Sequence, residues 1–96
     1  MHVTRINKFQ AKAELADDLH DFLLGILPII RQAVGCASCQ LLRSKDDPSE
    51  FVIIELWASV AAHKASVNAI APEQFDLVLP MLARPPMGSY YTVMSA

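Results

Sequence analysis

The chain is short of glycine, of charge and of long apolar runs, and each shortage removes a class of function. Its three glycines, Gly25, Gly35 and Gly88, stand apart, so neither a dinucleotide-binding turn nor a phosphate-cradling loop can be assembled. The longest mostly apolar run, 22–30, is nine residues and holds Gly25 and Pro28, about half of what a bilayer-spanning helix needs. No membrane partner is expected. Eight Lys and Arg stand against ten Asp and Glu for a net charge of −2, and no stretch concentrates the basic residues, which argues against nucleic acid as a partner. Met1 runs directly into strand-like sequence with no apolar leader, so a cytoplasmic location is expected. With 96 residues there is room for one core but not for separate cofactor and substrate domains, and a single domain over 1–96 is expected.

Apolar residues are plentiful. They make up 53% of the chain, against 19% charged, where about 25% charged is usual. A domain this small buries only roughly two-thirds of its unfolded surface. The surplus points to a homodimer or higher oligomer whose interface hides it.

Turn residues divide the chain into six elements. The mixed β-branched and polar stretch 2–9 reads as a first strand. From about Ala13, the residues Leu15, Leu19, Phe22, Leu23, Ile26 and Ile30 repeat on one helical face. Asp17, Asp18 and Asp21 lie toward the helix start and Arg31 toward its end, as the helix dipole favours, and Gly35 stops it. Pro28 predicts a kink near the C-terminal end. The β-rich runs 36–44 and 50–58, joined by the polar, proline-containing turn 45–49, read as an antiparallel hairpin. Ser59 caps a second helix to about Ile70, Pro72 opens a short one with Phe75, Val78 and Leu79, and 89–94 forms a last strand.

The order β-α-β-β-α-β defines a ferredoxin-like α+β fold: a four-stranded antiparallel sheet with the helices on one face. In the third strand Phe51, Ile53, Glu55 and Trp57 alternate with Val52, Ile54 and Leu56. Both faces are apolar, so both need cover. The face with Phe51 and Ile53 is expected to be roofed by a second copy, sheet against sheet, with a pocket at the open end of that seam.

These residues resemble a known family. The segment 51–59 followed by Ala62 and His63 is similar to the E-x-W-x-S…H segment of the antibiotic biosynthesis monooxygenases, and Gly35, Cys36 and Leu41 resemble their G-C-x-x-x-x-L lead-in to strand two. The resemblance implies a dimeric α+β barrel. In some members it implies oxidation of polycyclic phenols or quinols by O2 without metal, flavin or haem, in a pocket between sheet and helices of the homodimer. Other members bind and degrade haem. This chain resembles that branch in Asn7 and Trp57, but Val67 occupies the position of its ligand histidine. The antibiotic-tailoring members often have a tyrosine and an asparagine where this chain has His63 and Ile53.

A cofactor-free oxygenase needs only to bind a phenol, take or share its proton, and keep the peroxide-stage oxygen dry, because the substrate supplies the electrons. No cofactor is then required beyond O2 as co-substrate, and the partner is a small aromatic molecule. His63 is the candidate acid/base or hydrogen-bonding group; its plain alternative is a satisfied helix-start histidine. Trp57 offers a flat wall for a ring, with Phe51 beside it, or else serves as core or interface. Glu55, if enclosed, must be paired, hydrogen-bonded or protonated, with Arg5 or a tyrosine hydroxyl as structural partner. Asn7 shares the alternation of Val3, Arg5 and Phe9 and could aim its amide at a substrate oxygen, or meet solvent. Tyr90 and Tyr91 point to opposite faces, so only one of them can line the pocket, with Tyr90 the candidate.

No metal site is expected. Cys36 and Cys39 have C-x-x-C spacing, yet on a regular strand they point to opposite faces, and no second pair or nearby histidine completes a zinc set. His20 between Asp17 and Asp21 reads as solvated helix polarity. A non-catalytic dimeric module binding an apolar small molecule is the alternative function, followed by a haem-binding relative.

Overall fold

The computed structural model describes residues 2–95. Strand β1 (Val3–Gln10) is followed by helix α1 (Ala16–Arg31), the hairpin β2 (Cys36–Arg43) and β3 (Glu50–Trp57), helices α2 (Val60–Ala69) and α3 (Pro72–Val78), and β4 (Met87–Tyr91). Short 3-10 turns at Ala13–Leu15 and Leu79–Met81 lead into α1 and out of α3. The strands lie in the order β2-β3-β1-β4 with every neighbouring pair antiparallel. This is the ferredoxin-like α+β arrangement. The crossover from β1 through α1 leaves a gap that β3 fills. The last strand sits at 87–91, two residues earlier than the sequence pattern suggests, because β4 must pair with residues 4–8 of β1.

Helix α1 closes one face of the sheet with Leu19, Leu23, Leu27 and Ile30, spaced three or four apart and buried against Phe51, Ile53 and Trp57. Ser59 caps α2 by accepting from the Ala62 backbone N–H at 3.1 Å. Gly35 takes φ +90°, and a Cβ there would stand 2.7 Å from that of Ala62. Only glycine lets the lead-in to β2 pass this close to the first turn of α2.

Two sequence expectations are corrected by the packing. Phe51, Ile53, Glu55 and Trp57 all point toward the helices and are at most 3% exposed. The face that lacks cover is the other one, where Val52, Ile54 and Leu56 are half-buried beside Thr4, Ile6 and Lys8 of β1. Bulk decides it: the large side chains fill the deep helix-to-sheet layer, and the branched aliphatic ones leave a flatter outer surface. The second correction concerns the cysteines. A bulge between Cys36 and Ser38 sets Cys36 opposite Trp57 and Cys39 opposite Glu55, so both cysteines share the helix side. Both carry free thiols. Burial, then the Glu55 charge, pushes Cys39 up to about 12 and raises Cys36 as well, which keeps them protonated and unreactive.

Candidate functional site

Between the sheet and the helices lies a cavity of about 260 Å³, at the small end of ligand pockets. Its walls are apolar: Phe22, Ile26 and Ile30 from α1, Val67 from α2, Ile70 from the link that follows, and Phe75 and Val78 from α3. Its floor is polar and comes from the sheet. Arg5 and Asn7 of β1 lie opposite Glu55 and Ile53 of β3, and Trp57 follows on the same side. The alternation of two strands in register therefore delivers four of the floor residues to one patch. His63 hangs over this patch from the first turn of α2 and is the one buried side chain of that helix.

The floor is a connected network. Asn7 Nδ2 donates to Glu55 Oε2 at 2.8 Å, and Trp57 Nε1 donates to Glu55 Oε1 at 2.7 Å. Arg5 Nε donates to Asn7 Oδ1 at 2.9 Å. The carboxylate, 3% exposed, thus has each oxygen occupied by a neutral N–H donor. Burial lifts the Glu55 carboxyl above its usual range; the Trp57 bond, the Arg5 charge and the Asn7 bond pull against that rise. Beside it, burial lowers the His63 imidazole, and the positive charges of Arg5 and Lys64 lower it further. Neutral imidazole is the favoured state near neutrality.

His63 Nδ1 is 2.6 Å from the Tyr90 hydroxyl, while Nε2 stands 3.8 Å from Glu55 Oε1. The second distance is too long for a hydrogen bond. The ring meets Trp57 and Tyr90 edge-on, each at a centroid separation of 5.4 Å. Arg5 stacks its guanidinium over the Tyr90 ring at 4.6 Å. Gly88 of β4 faces Asn7, and a Cβ there would collide with the Arg5 guanidinium and with Asn7 Oδ1. The pair fits because that strand position carries no side chain.

Of the residues singled out in the sequence, Asn7, Glu55, Trp57 and His63 line the cavity. Tyr90 stands behind His63 as its hydrogen-bond partner. Phe51 is not among the lining residues: it is fully buried nearer the other end of β3, with the Arg43 guanidinium 5.0 Å from its ring and His20 at 6.2 Å. The pocket is under the helices of one chain, so the expected hollow in a seam between two sheets is replaced by one within the protomer. Glu55 bonds to Asn7 and Trp57, where Arg5 or a tyrosine hydroxyl was the expected structural partner. Gly88 and the Arg5–Asn7 pairing escaped sequence reasoning; only the β1–β4 register reveals them. Phe22, Leu23, Ile26 and Ile30 were visible as helix periodicity, but nothing in that pattern separates these cavity-lining residues from Leu19 and Leu27 beside them.

Among the described residues no helix is long and apolar enough to cross a membrane. No curated protein matches the sequence. Solved structures match it closely in fold. Rv0793 from Mycobacterium tuberculosis superposes with a TM-score of 0.86 at 22% identity, covering 100% of this chain and 98% of its own. A protein of unknown function from Nitrosomonas europaea, NE2512, gives 0.85 at 23%, covering 99% and 91%. A variant of SnoaB, a cofactor-independent oxygenase from Streptomyces nogalater, gives 0.83 at 15%, covering 99% and 95%. At these identities the likeness speaks to fold. The assignment rests on the family model described as antibiotic biosynthesis monooxygenase, which matches residues 2–75 and so takes in β1, the hairpin and the whole Glu55-to-His63 segment. By that match, the chain belongs to the antibiotic biosynthesis monooxygenase family.

Proposed function

We propose that this protein is a homodimeric, cofactor-independent monooxygenase that oxidises a small aromatic phenol or quinol with O2 in the cavity between its sheet and helices. The observation that carries the reading is the Glu55 carboxylate on the polar floor and the His63 imidazole above it, 3.8 Å apart in an otherwise apolar cavity. Such a site holds a ring against Trp57 and the helix residues while its hydroxyl meets groups able to move a proton. SnoaB, of like fold, is a cofactor-independent oxygenase, which supports the same chemistry here by analogy.

The reaction balances without any redox group from the protein. A phenol with a free ring position gives up its O–H proton to the site, and the phenolate passes one electron to O2. The phenoxyl and superoxide radicals join through a new C–O bond. Cleavage of the O–O bond with loss of the ring hydrogen leaves a quinone and one water, so one phenol and one O2 give one quinone and one H2O. The substrate supplies every electron. Asn7 and Trp57 hold the Glu55 carboxylate in place, and the apolar walls exclude water from the peroxide stage. The modest volume favours one or two fused rings over a long polycycle.

Dimer formation is supported by the outer sheet face. Ile6, Val52, Ile54 and Leu56 are half-buried there without a covering layer, and Leu42 and Tyr91 are 45% and 52% exposed. A second copy laid on this face would hide them. Sedimentation should give twice the mass of the chain.

The test is oxygen uptake with a panel of phenols, naphthols and hydroquinones, following quinone absorbance. The expected result is equal consumption of O2 and formation of quinone, unchanged by chelators. Saturable binding of a naphthol with no uptake would overturn the oxygenase reading and leave a binding module.

A further inference from the structure

We infer that His63 carries its proton on Nε2 and donates it into the cavity, that Tyr90 is the positioning residue holding it in that tautomer, and that Glu55 is therefore the site's proton acceptor. This sharpens the proposed function and rests on it for its kinetic consequence. It reverses the role that residue type alone suggests, in which a lone histidine is the base.

Three observations set the direction of the proton. A neutral imidazole has one donor nitrogen and one acceptor nitrogen, and Nδ1 is committed to the Tyr90 hydroxyl at 2.6 Å. Either group could donate, but a phenol is the better proton donor and an imidazole the better acceptor. The guanidinium of Arg5 stacked on the Tyr90 ring at 4.6 Å adds a positive charge that strengthens the phenol as a donor. On the far side of the ring, Nε2 stands 3.8 Å from Glu55 Oε1. A lone pair aimed at a carboxylate oxygen is repelled, whereas an N–H is attracted. All three favour Tyr90 O–H donating to Nδ1 and leave the hydrogen on Nε2.

The gap between Nε2 and Oε1 has the right width for a ligand oxygen. The two atoms are too far apart to bond each other and close enough for one oxygen to lie within reach of both. No sealed side-chain nitrogen or oxygen among the described residues lacks a partner, yet Nε2 has none at bonding distance, so it remains open to the cavity that His63 lines. A phenol hydroxyl in this gap would donate its proton to Glu55 and accept from His63 N–H. The same N–H then steadies the phenolate as charge develops on that oxygen. Arg5, Glu55 and His63 are the titratable residues of the lining, and a guanidinium cannot accept a proton.

The groups around Glu55 and His63 are consistent with this role. Facing Glu55 are Arg5 and the Asn7 amide from β1, His63 from α2, and Cys36 and Cys39 from β2, with Arg31 of α1 donating to the Cys39 carbonyl; facing His63 are Arg5, Lys64 of α2 and Tyr90 of β4. Burial makes the carboxylate a stronger base than a free one, and the donors of Asn7 and Trp57 fix where its lone pairs point.

The experiment is nitrogen NMR of the histidine rings in the full-length wild type and in Tyr90→Phe, at a pH where His63 is neutral, with and without 2-naphthol. The expected wild-type spectrum shows His63 protonated at Nε2 and bare at Nδ1, with Tyr90→Phe relaxing toward a mixture of tautomers while the fold is retained. A wild-type His63 protonated at Nδ1 overturns the proposal, whether or not any substrate turns over. With a phenol that supports oxygen uptake, Glu55→Gln should lose about 100-fold or more in kcat and the ascending limb of the pH profile. His63→Gln, which keeps an N–H donor, should stay within about tenfold and keep that limb. The opposite pattern overturns the proposal. Absence of uptake with every phenol defeats the oxygenase reading, and the tautomer spectrum then decides this one alone.

Discussion

Helices α1 and α2 cover the same sheet by opposite means. Helix α1 buries four apolar side chains, Leu19, Leu23, Leu27 and Ile30, in a continuous stripe. Helix α2 buries one residue, the polar His63. Its Val67 and the α3 residues Phe75 and Leu77 remain 38%, 42% and 56% exposed although Val67 and Phe75 line the cavity. The first helix is held by the hydrophobic effect. The second is held by a cap, a glycine contact at residue 35 and a hydrogen bond to Tyr90. Stability and chemistry thus come from different ends of the same layer, and the weakly packed end forms the roof of the site.

Substitutions in these helices test this contrast. The largest effect is expected from His63→Ala, which removes the donor facing the ligand: turnover should fall about 100- to 1,000-fold, with a stability loss smaller than that of any α1 core substitution. Next, Leu19→Ala, at a fully buried position outside the cavity lining, should cost about 2–5 kcal/mol in denaturant unfolding and leave ligand affinity nearly intact in the folded fraction. Phe75→Ala should do the reverse, weakening naphthol binding about tenfold while changing stability by roughly 0.5–1 kcal/mol. If Phe75→Ala unfolds the protein as readily as Leu19→Ala, the division between scaffold and roof is wrong.

A smaller effect lies in the pH dependence of stability, measured against isosteric variants. Glu55 has a raised folded value, so its stabilising contribution is complete below its ordinary value of 4.5 and is lost as pH rises through the folded value. The stability of wild type relative to Glu55→Gln should therefore fall as pH climbs above that point. His63 has a lowered folded value, so its contribution is complete above 6.5 and is lost as pH falls through the folded value. Wild type relative to His63→Gln should weaken on acidification below 6.5.

The scaffold end of the molecule was the more legible in sequence. The α1 stripe, the 45–49 turn, the Ser59 cap and Pro72 at the start of α3 each carry local physics, and each element formed where that physics put it. Four residues of the site were also picked out: Asn7 by its alternation with Arg5, Glu55 because an enclosed carboxylate must be partnered, Trp57 as a flat wall for a ring, and His63 because imidazole exchanges protons near neutrality. Which face of β3 meets the helices was not legible, since Phe51 and Ile53 are as apolar as Val52 and Ile54. That choice depends on how Phe51 and Trp57 fill the layer beneath α1, a contact between distant parts of the chain that no local pattern shows. The bulge at the start of β2 likewise defeated a parity argument that holds only for regular strands. Tyr90 could be placed on one face or the other by alternation, but its partnership with His63 joins β4 to α2 across 27 residues, beyond the reach of any local pattern.

The central claim is that this small cavity drives insertion of oxygen into a phenol using the substrate's own electrons. The most direct measurement is turnover under isotopically labelled O2 with mass analysis of the quinone. The account predicts one labelled atom in the product ring, with the other released as water. Quinone formed without label, or a phenol that binds and is recovered unchanged, would contradict it.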